Sequence, residues 1–99
     1  FLGDNTLSTA EIASIAAMTQ LSDLSLVNCS ITNDELAKLT GLQKLKRLNL
    51  DQCSRLDQGC LESLAKFQNL EMLILPDDLL TDGNEKFLAQ RLPRLKHFK

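Results

Sequence analysis

A leucine pattern that recurs at a nearly constant interval constrains the fold of this chain more than any other feature. The pattern L-x-x-L-x-L-x-x-C/N-x-L begins at Leu21, at Leu45 and, with Asp in the place of Cys, at Leu70. An incomplete copy follows Leu2, and another begins at Leu95. Equivalent positions lie 24 or 25 residues apart, which is enough for one strand and one helix. A unit this short cannot fold alone, so the pattern predicts a stack of such units.

The residues between these patterns predict helices, because apolar side chains there are spaced by three. Ser8 with Glu11, Thr32 with Glu35, and Asp82 with Glu85 have the spacing of a helix-capping box, and Asp57 is the predicted cap of the third helix. Pro93 is expected to end the fourth helix, while Pro76 falls in the predicted third strand. The predicted helix-face residues are Ile12, Ile15, Met18 and Leu21; Leu36, Leu39, Leu42 and Leu45; and Leu61, Leu64, Phe67 and Leu70.

The fold class predicted from these features is an α/β leucine-rich repeat solenoid with about four repeats. Parallel strands are expected on its concave face and helices on its convex face, because the helices are wider than the strands. Residues 1–99 are expected to form a single domain. The chain does not begin with Met and opens inside a strand pattern, so we expect an N-terminal truncation.

Composition indicates a folded protein that is not attracted to nucleic acid and has no transmembrane helix. The chain has 43% hydrophobic and 24% charged residues, and its net charge of −2 predicts no attraction to nucleic acid. No apolar run approaches the roughly 20 residues of a transmembrane helix. The 3 cysteines are odd in number and fall at repeat positions, which favours reduced thiols and an intracellular location.

With Cys29 and Cys53 at a position often occupied by Asn, the repeats resemble the cysteine-containing leucine-rich repeats. F-box proteins with such repeats use them to bind substrates of a ubiquitin ligase, although no F-box is visible in this sequence. The segment 50–64, running on to Asn69 and Leu70, resembles mitochondrial ATP synthase subunit s (coupling factor B) and the related distal membrane-arm assembly proteins. Gly59, Cys60, Leu61 and Glu62 carry most of this similarity. The resemblance implies an accessory or assembly subunit of a larger mitochondrial complex.

Alternation along the strands predicts which side chains point away from the core. Asp23 and Arg47 are expected either to pair across strands or to contact a partner, and Met72, Ile74 and Pro76 are expected to form an exposed apolar patch. Outward-pointing residues at equivalent positions of neighbouring strands should form columns across the sheet. The incomplete N-terminal copy and the C-terminus should extend these columns with Phe1, Gly3, Asp4, His97 and Lys99. The predicted partner-binding residues are Asp23, Ser25, Val27, Arg47, Asn49, Asp51, Met72, Ile74 and Pro76.

No catalytic, metal or cofactor site is predicted. His97 has no Ser or Cys near it in sequence. Cys29 and Cys53 are expected to pack inward at the repeat turn rather than bind metal. For Cys60, a lowered thiol pKa in the first helical turn and an unreactive, half-buried thiol both remain open. The basic C-terminus (Arg91, Arg94, Lys96, His97 and Lys99) suits either a solvated tail or binding to an acidic partner surface or anionic lipid head groups.

The sequence therefore predicts a non-enzymatic protein–protein interaction module. Its partner is expected on the concave face, within a hetero-complex. The alternative is the substrate-recognition repeats of an F-box type ubiquitin ligase, which would need an F-box before Phe1. A mitochondrial location is implied by the resemblance only.

Overall fold

A computed structural model describes residues 8–98, in which short parallel strands alternate with helices. The predicted α/β class is confirmed. The strands are β1 (Asp23–Ser25), β2 (Arg47–Asn49), β3 (Met72–Ile74) and β4 (His97–Phe98). The helices are α1 (Thr9–Ala16), α2 (Asn33–Ala37), α3 (Leu61–Leu64) and α4 (Asp82–Arg91), and 3₁₀ turns lie at Gln58–Cys60 and Asp77–Leu79.

Each strand pairs in parallel with the next strand along the chain, in the order β1-β2-β3-β4. Asp23 lies opposite Arg47, Arg47 opposite Met72, and Met72 opposite His97. This register places equivalent positions of successive sequence repeats side by side. The interval of the leucine pattern therefore sets which side chains are neighbours on the sheet.

The helices α1, α2 and α4 begin where a side chain accepts a hydrogen bond from a free N–H group of the first turn, whereas α3 has no side-chain cap of its own. Ser8 and Thr32 form the two complete capping boxes that the sequence predicts. The Asp57 carboxylate accepts from the Gly59 N–H at 2.9 Å and starts the 3₁₀ turn that leads into α3. The prediction that Asp82 caps the fourth helix is wrong, because Thr81 has the extended backbone of a cap and accepts from Asn84 at 3.1 Å.

The core is almost entirely aliphatic and lies between the sheet and the helices. Met18 is the exception to the predicted helix face: it is 52% exposed, because α1 ends at Ala16 and the chain no longer follows the helical spacing there. Leu21 and Leu24 are partly buried against the core. Fully buried large side chains are Ile12, Leu26, Ile31, Leu36, Leu39, Leu42, Leu45, Leu48, Leu50, Leu64, Phe67 and Leu70.

A left-handed backbone turn follows each of the first two strands and brings a cysteine into the core. Asn28 has φ 58° and Gln52 has φ 61°, and each precedes a buried cysteine, Cys29 or Cys53. A turn of a different kind follows β3. Pro76 lies beyond β3 rather than within a strand, and the Leu79 N–H donates to its carbonyl at 2.9 Å. The incomplete copy at residues 2–7 and the column positions Phe1, Gly3, Asp4 and Lys99 lie outside the described residues.

Candidate functional site

The side of the sheet that faces away from the helices carries most of the predicted partner-binding residues. Asp23, Arg47 and Met72 form one row across the strands, and Ser25, Asn49 and Ile74 form the next. We call these six residues the open sheet face. They border a shallow concavity of about 240 Å³. The structure therefore brings together side chains from three separate repeats, as the alternation in the sequence predicted.

The polar half of this face is centred on an exposed ion pair. A guanidinium nitrogen of Arg47 lies 3.6 Å from a carboxylate oxygen of Asp23, and the two side chains are 64% and 61% exposed. The predicted pairing across β1 and β2 is confirmed. An ion pair this exposed contributes only about 0–1 kcal/mol to stability. Both side chains consequently remain accessible to a partner at little cost to the fold.

The apolar half of the open sheet face lies on β3. Met72 and Ile74 are half-buried, while Leu73 between them is fully buried in the core. Their neighbours on β2 are Arg47 and Asn49, respectively. An aliphatic strand therefore borders a polar one, which gives a partner both an apolar contact and hydrogen-bonding groups nearby.

The third predicted row lies beyond the strand ends and differs from the expectation. Val27 and Asp51 are half-buried in the turns that follow β1 and β2. Pro76 was expected in the exposed apolar patch, and that prediction is wrong because Pro76 is buried. The 3₁₀ turn at Asp77–Leu79 folds back directly after it. The apolar patch is therefore limited to Met72 and Ile74, and it is half-buried rather than exposed as predicted. The exposed large hydrophobic side chains of residues 8–98 are Met18 and Leu80.

Three aspartates line one concavity beside this turn and form a feature that the sequence reasoning missed. Asp51, Asp77 and Asp78 border a second concavity of about 180 Å³, together with Gln52, Ser54 and Pro76. We call Asp51, Asp77 and Asp78 the acidic corner. Asp51 occupies the repeat position equivalent to Pro76, so continuing the register of β2 and β3 would have placed Asp51 opposite Pro76 and one position away from Asp77. That signal was available in the sequence.

The cysteine thiols are structural. Cys53 is fully buried, and its thiol donates to the Leu26 carbonyl at 2.9 Å. Burial raises the thiol pKa of Cys53 above its ordinary value. Burial, and secondarily the nearby Asp57 carboxylate, raises the pKa of Cys60 to about 11. The raised pKa disagrees with a lowered thiol pKa at Cys60 and agrees with the alternative of an unreactive thiol, although Cys60 is fully rather than half-buried.

Among residues 8–98, no group of three or more His, Cys, Asp or Glu side chains is arranged to hold a metal ion. His97 is exposed at the sheet edge, and Arg91, Arg94 and Lys96 are exposed near it. The Arg91 guanidinium lies over the Phe87 ring, 4.6 Å from its centroid. No helix in this part of the chain is long and apolar enough to cross a bilayer.

No protein-family model matches the chain, and no curated protein matches it significantly.

Proposed function

We propose that this chain is a leucine-rich repeat solenoid that serves as a non-enzymatic protein interaction module, with the open sheet face as its concave binding surface. The observation that carries this proposal is the placement of Met72 and Ile74 beside the exposed Arg47 side chain. Half-buried aliphatic groups next to a charged, accessible arginine are typical of the centre of a protein interface.

The resemblance of residues 50–64 to ATP synthase subunit s and the distal membrane-arm assembly proteins supports a more specific role. We propose an accessory or assembly subunit of a larger, mitochondrial complex. The repeats supply a rigid surface, since the strand positions that carry the face are anchored by fully buried neighbours such as Leu48 and Leu73. A rigid surface loses little entropy on binding.

Isolation of the protein under native conditions, followed by mass spectrometry of whatever copurifies, tests this function. We expect a stable assembly that contains respiratory or ATP synthase subunits. Ubiquitin-ligase components would instead favour substrate recognition for an F-box type ligase. A chain that elutes as a lone monomer at every concentration and salt would contradict the proposal of a stable accessory subunit.

A further inference from the structure

The acidic corner lies at the end of β3, directly beyond the aliphatic half of the open sheet face. Ile74 is the last residue of β3, and the corner residue Asp77 follows three positions later. A strand rises roughly 3.3 Å per residue, so Ile74 and Asp77 are separated by about 10 Å or less. One bound segment of extended chain can therefore contact both.

The carboxylates of the acidic corner differ from the Asp23 carboxylate of the open sheet face. Asp23 has Arg47 as its ion-pair partner. In residues 8–98, no Lys, Arg or His nitrogen lies within ion-pair distance of Asp51, Asp77 or Asp78. Asp77 and Asp78 are exposed, and Asp51 is half-buried. Three like charges around one concavity repel one another, and a cation placed among them relieves that repulsion.

We propose that the open sheet face binds an extended segment of a partner protein in which a lysine or arginine lies two or three residues from an aliphatic side chain. The aliphatic group packs on Met72 and Ile74, and the cation enters the acidic corner. This inference rests on the proposed function of the face and adds the chemistry of the partner.

The side-chain cation is favoured over other occupants by the arrangement of the corner. The three carboxylates do not form a group that could hold a metal ion, whereas a long Lys or Arg side chain needs only surface carboxylates around its charged end. Nucleic acid and anionic lipid would be repelled by the same carboxylates. The apolar contact with β3 requires a partner that also carries an aliphatic group, which a basic protein segment supplies.

Selection from a random peptide library, displayed on phage and exposed to the immobilised protein, tests the proposal. We expect the enriched peptides to carry Lys or Arg two or three positions from Leu, Ile, Val or Met. The double variant Asp77→Asn/Asp78→Asn should bind an enriched peptide about tenfold more weakly, since each exposed charge pair contributes roughly a factor of two to five.

The matched control is Asp34→Asn/Glu62→Gln, which removes the same charge from exposed positions on α2 and α3. We expect this control to bind the peptide within about twofold of the original chain, because these charges lie outside the face. The proposal is overturned if no peptide is enriched, if the enriched peptides lack a basic residue, or if both double variants weaken binding equally. Enriched peptides whose binding depends on Met72 and Ile74 but not on charge would overturn this partner chemistry alone. The proposed function is tested separately, by identifying what copurifies with the native protein.

Discussion

The surroundings of each thiol decide what the cysteines of this chain can do. Cys53 donates a hydrogen bond to the Leu26 carbonyl of the preceding repeat, and Cys29 lies at the equivalent turn. Both follow a residue with a left-handed backbone, Asn28 or Gln52. A small side chain is required there because the turn carries it straight into the core. The cysteines therefore contribute to stability through packing and hydrogen bonds, and a thiol buried in this way is unreactive.

Cys60 gives a pH prediction. Its ordinary pKa of 9.0 is raised to about 11 in the folded chain, mainly by burial. Below pH 9 the thiol is protonated in both the folded and the unfolded chain, so its stabilising contribution is complete. Between pH 9 and about 11, only the unfolded chain loses the proton. The free energy of unfolding should therefore fall by roughly 1.4 kcal/mol per pH unit in this range.

Denaturant unfolding of the original chain and of Cys60→Ala, compared from pH 7 upward, measures this effect. The variant should be less stable at pH 7, because it loses buried side-chain volume. Its stability should then fall less steeply above pH 9 than that of the original chain. Parallel pH dependences for the two proteins would contradict a raised pKa at Cys60.

At individual positions, sequence reasoning succeeded where the repeat itself fixes the geometry. The Asp23–Arg47 pair follows from the alternation and the interval of the repeat. The reasoning failed where the repeat is irregular. Thr81 rather than Asp82 caps α4, since both residues have acceptor side chains and only the backbone distinguishes them. Pro76 is buried because a 3₁₀ turn replaces the left-handed turn of the earlier repeats, and no spacing rule predicts that exchange.

Among the elements, α4 is joined to the preceding repeat by a buried amide. Asn84 is 4% exposed. Its side-chain NH₂ donates to the Leu79 carbonyl at 2.9 Å, and its side-chain oxygen accepts from the Gln58 amide at 2.6 Å. These bonds connect α4 both to the 3₁₀ turn before α3 and to the turn that precedes α4 itself. They compensate for the weakly apolar sequence of α4, where Leu88 is the only fully buried aliphatic side chain among the helix residues.

The change Asn84→Ala should lower the free energy of unfolding by about 1–2 kcal/mol, because it removes the buried hydrogen bonds to the Leu79 carbonyl and the Gln58 amide. The Leu79 carbonyl then keeps only the hydrogen bond from the Thr81 N–H. Thermal or denaturant unfolding measures the loss. Gly83→Ala is the control on the same helix turn, since an added Cβ there meets nothing within 4 Å. The control should be neutral or stabilise by up to about 1 kcal/mol. Equal stability of Asn84→Ala and the original chain would show that the amide contributes nothing.

The sequence predicted which helices and strands exist better than it predicted how long each helix is. The L-x-L core of each repeat predicted β1, β2 and β3, because inward-pointing leucines that alternate with outward-pointing residues are typical of a strand. The helical spacing was extended too far. α2 ends at Ala37, and the buried residues Leu39, Leu42 and Leu45 are reached through turns. Turns preserve the spacing of three without a continuous helix, so periodicity alone does not distinguish the two.

For the whole molecule, the parallel sheet turns a repeated sequence into a surface made from several repeats. Asp23, Arg47 and Met72 are widely separated along the chain and adjacent across the strands. The residues of the face were predictable because the core leucines specify the register. The acidic corner was not recognised, although the same register relates Asp51 of one repeat to Pro76 and Asp77 of the next. The charge of −2 on the whole chain also conceals this local concentration of negative charge.

A matched pair of substitutions tests most directly the proposal that a protein partner binds the open sheet face. Met72→Glu places a charge on the face, and Met18→Glu makes the same change at a side chain that is 52% exposed beyond the end of α1. Both proteins should remain folded, which circular dichroism and thermal unfolding would verify. We expect Met72→Glu to weaken binding of the copurified partner at least tenfold, because a desolvated carboxylate would replace an apolar contact. Met18→Glu should bind as the original chain does. Unchanged binding by folded Met72→Glu, or equal losses for both variants, would contradict the claim.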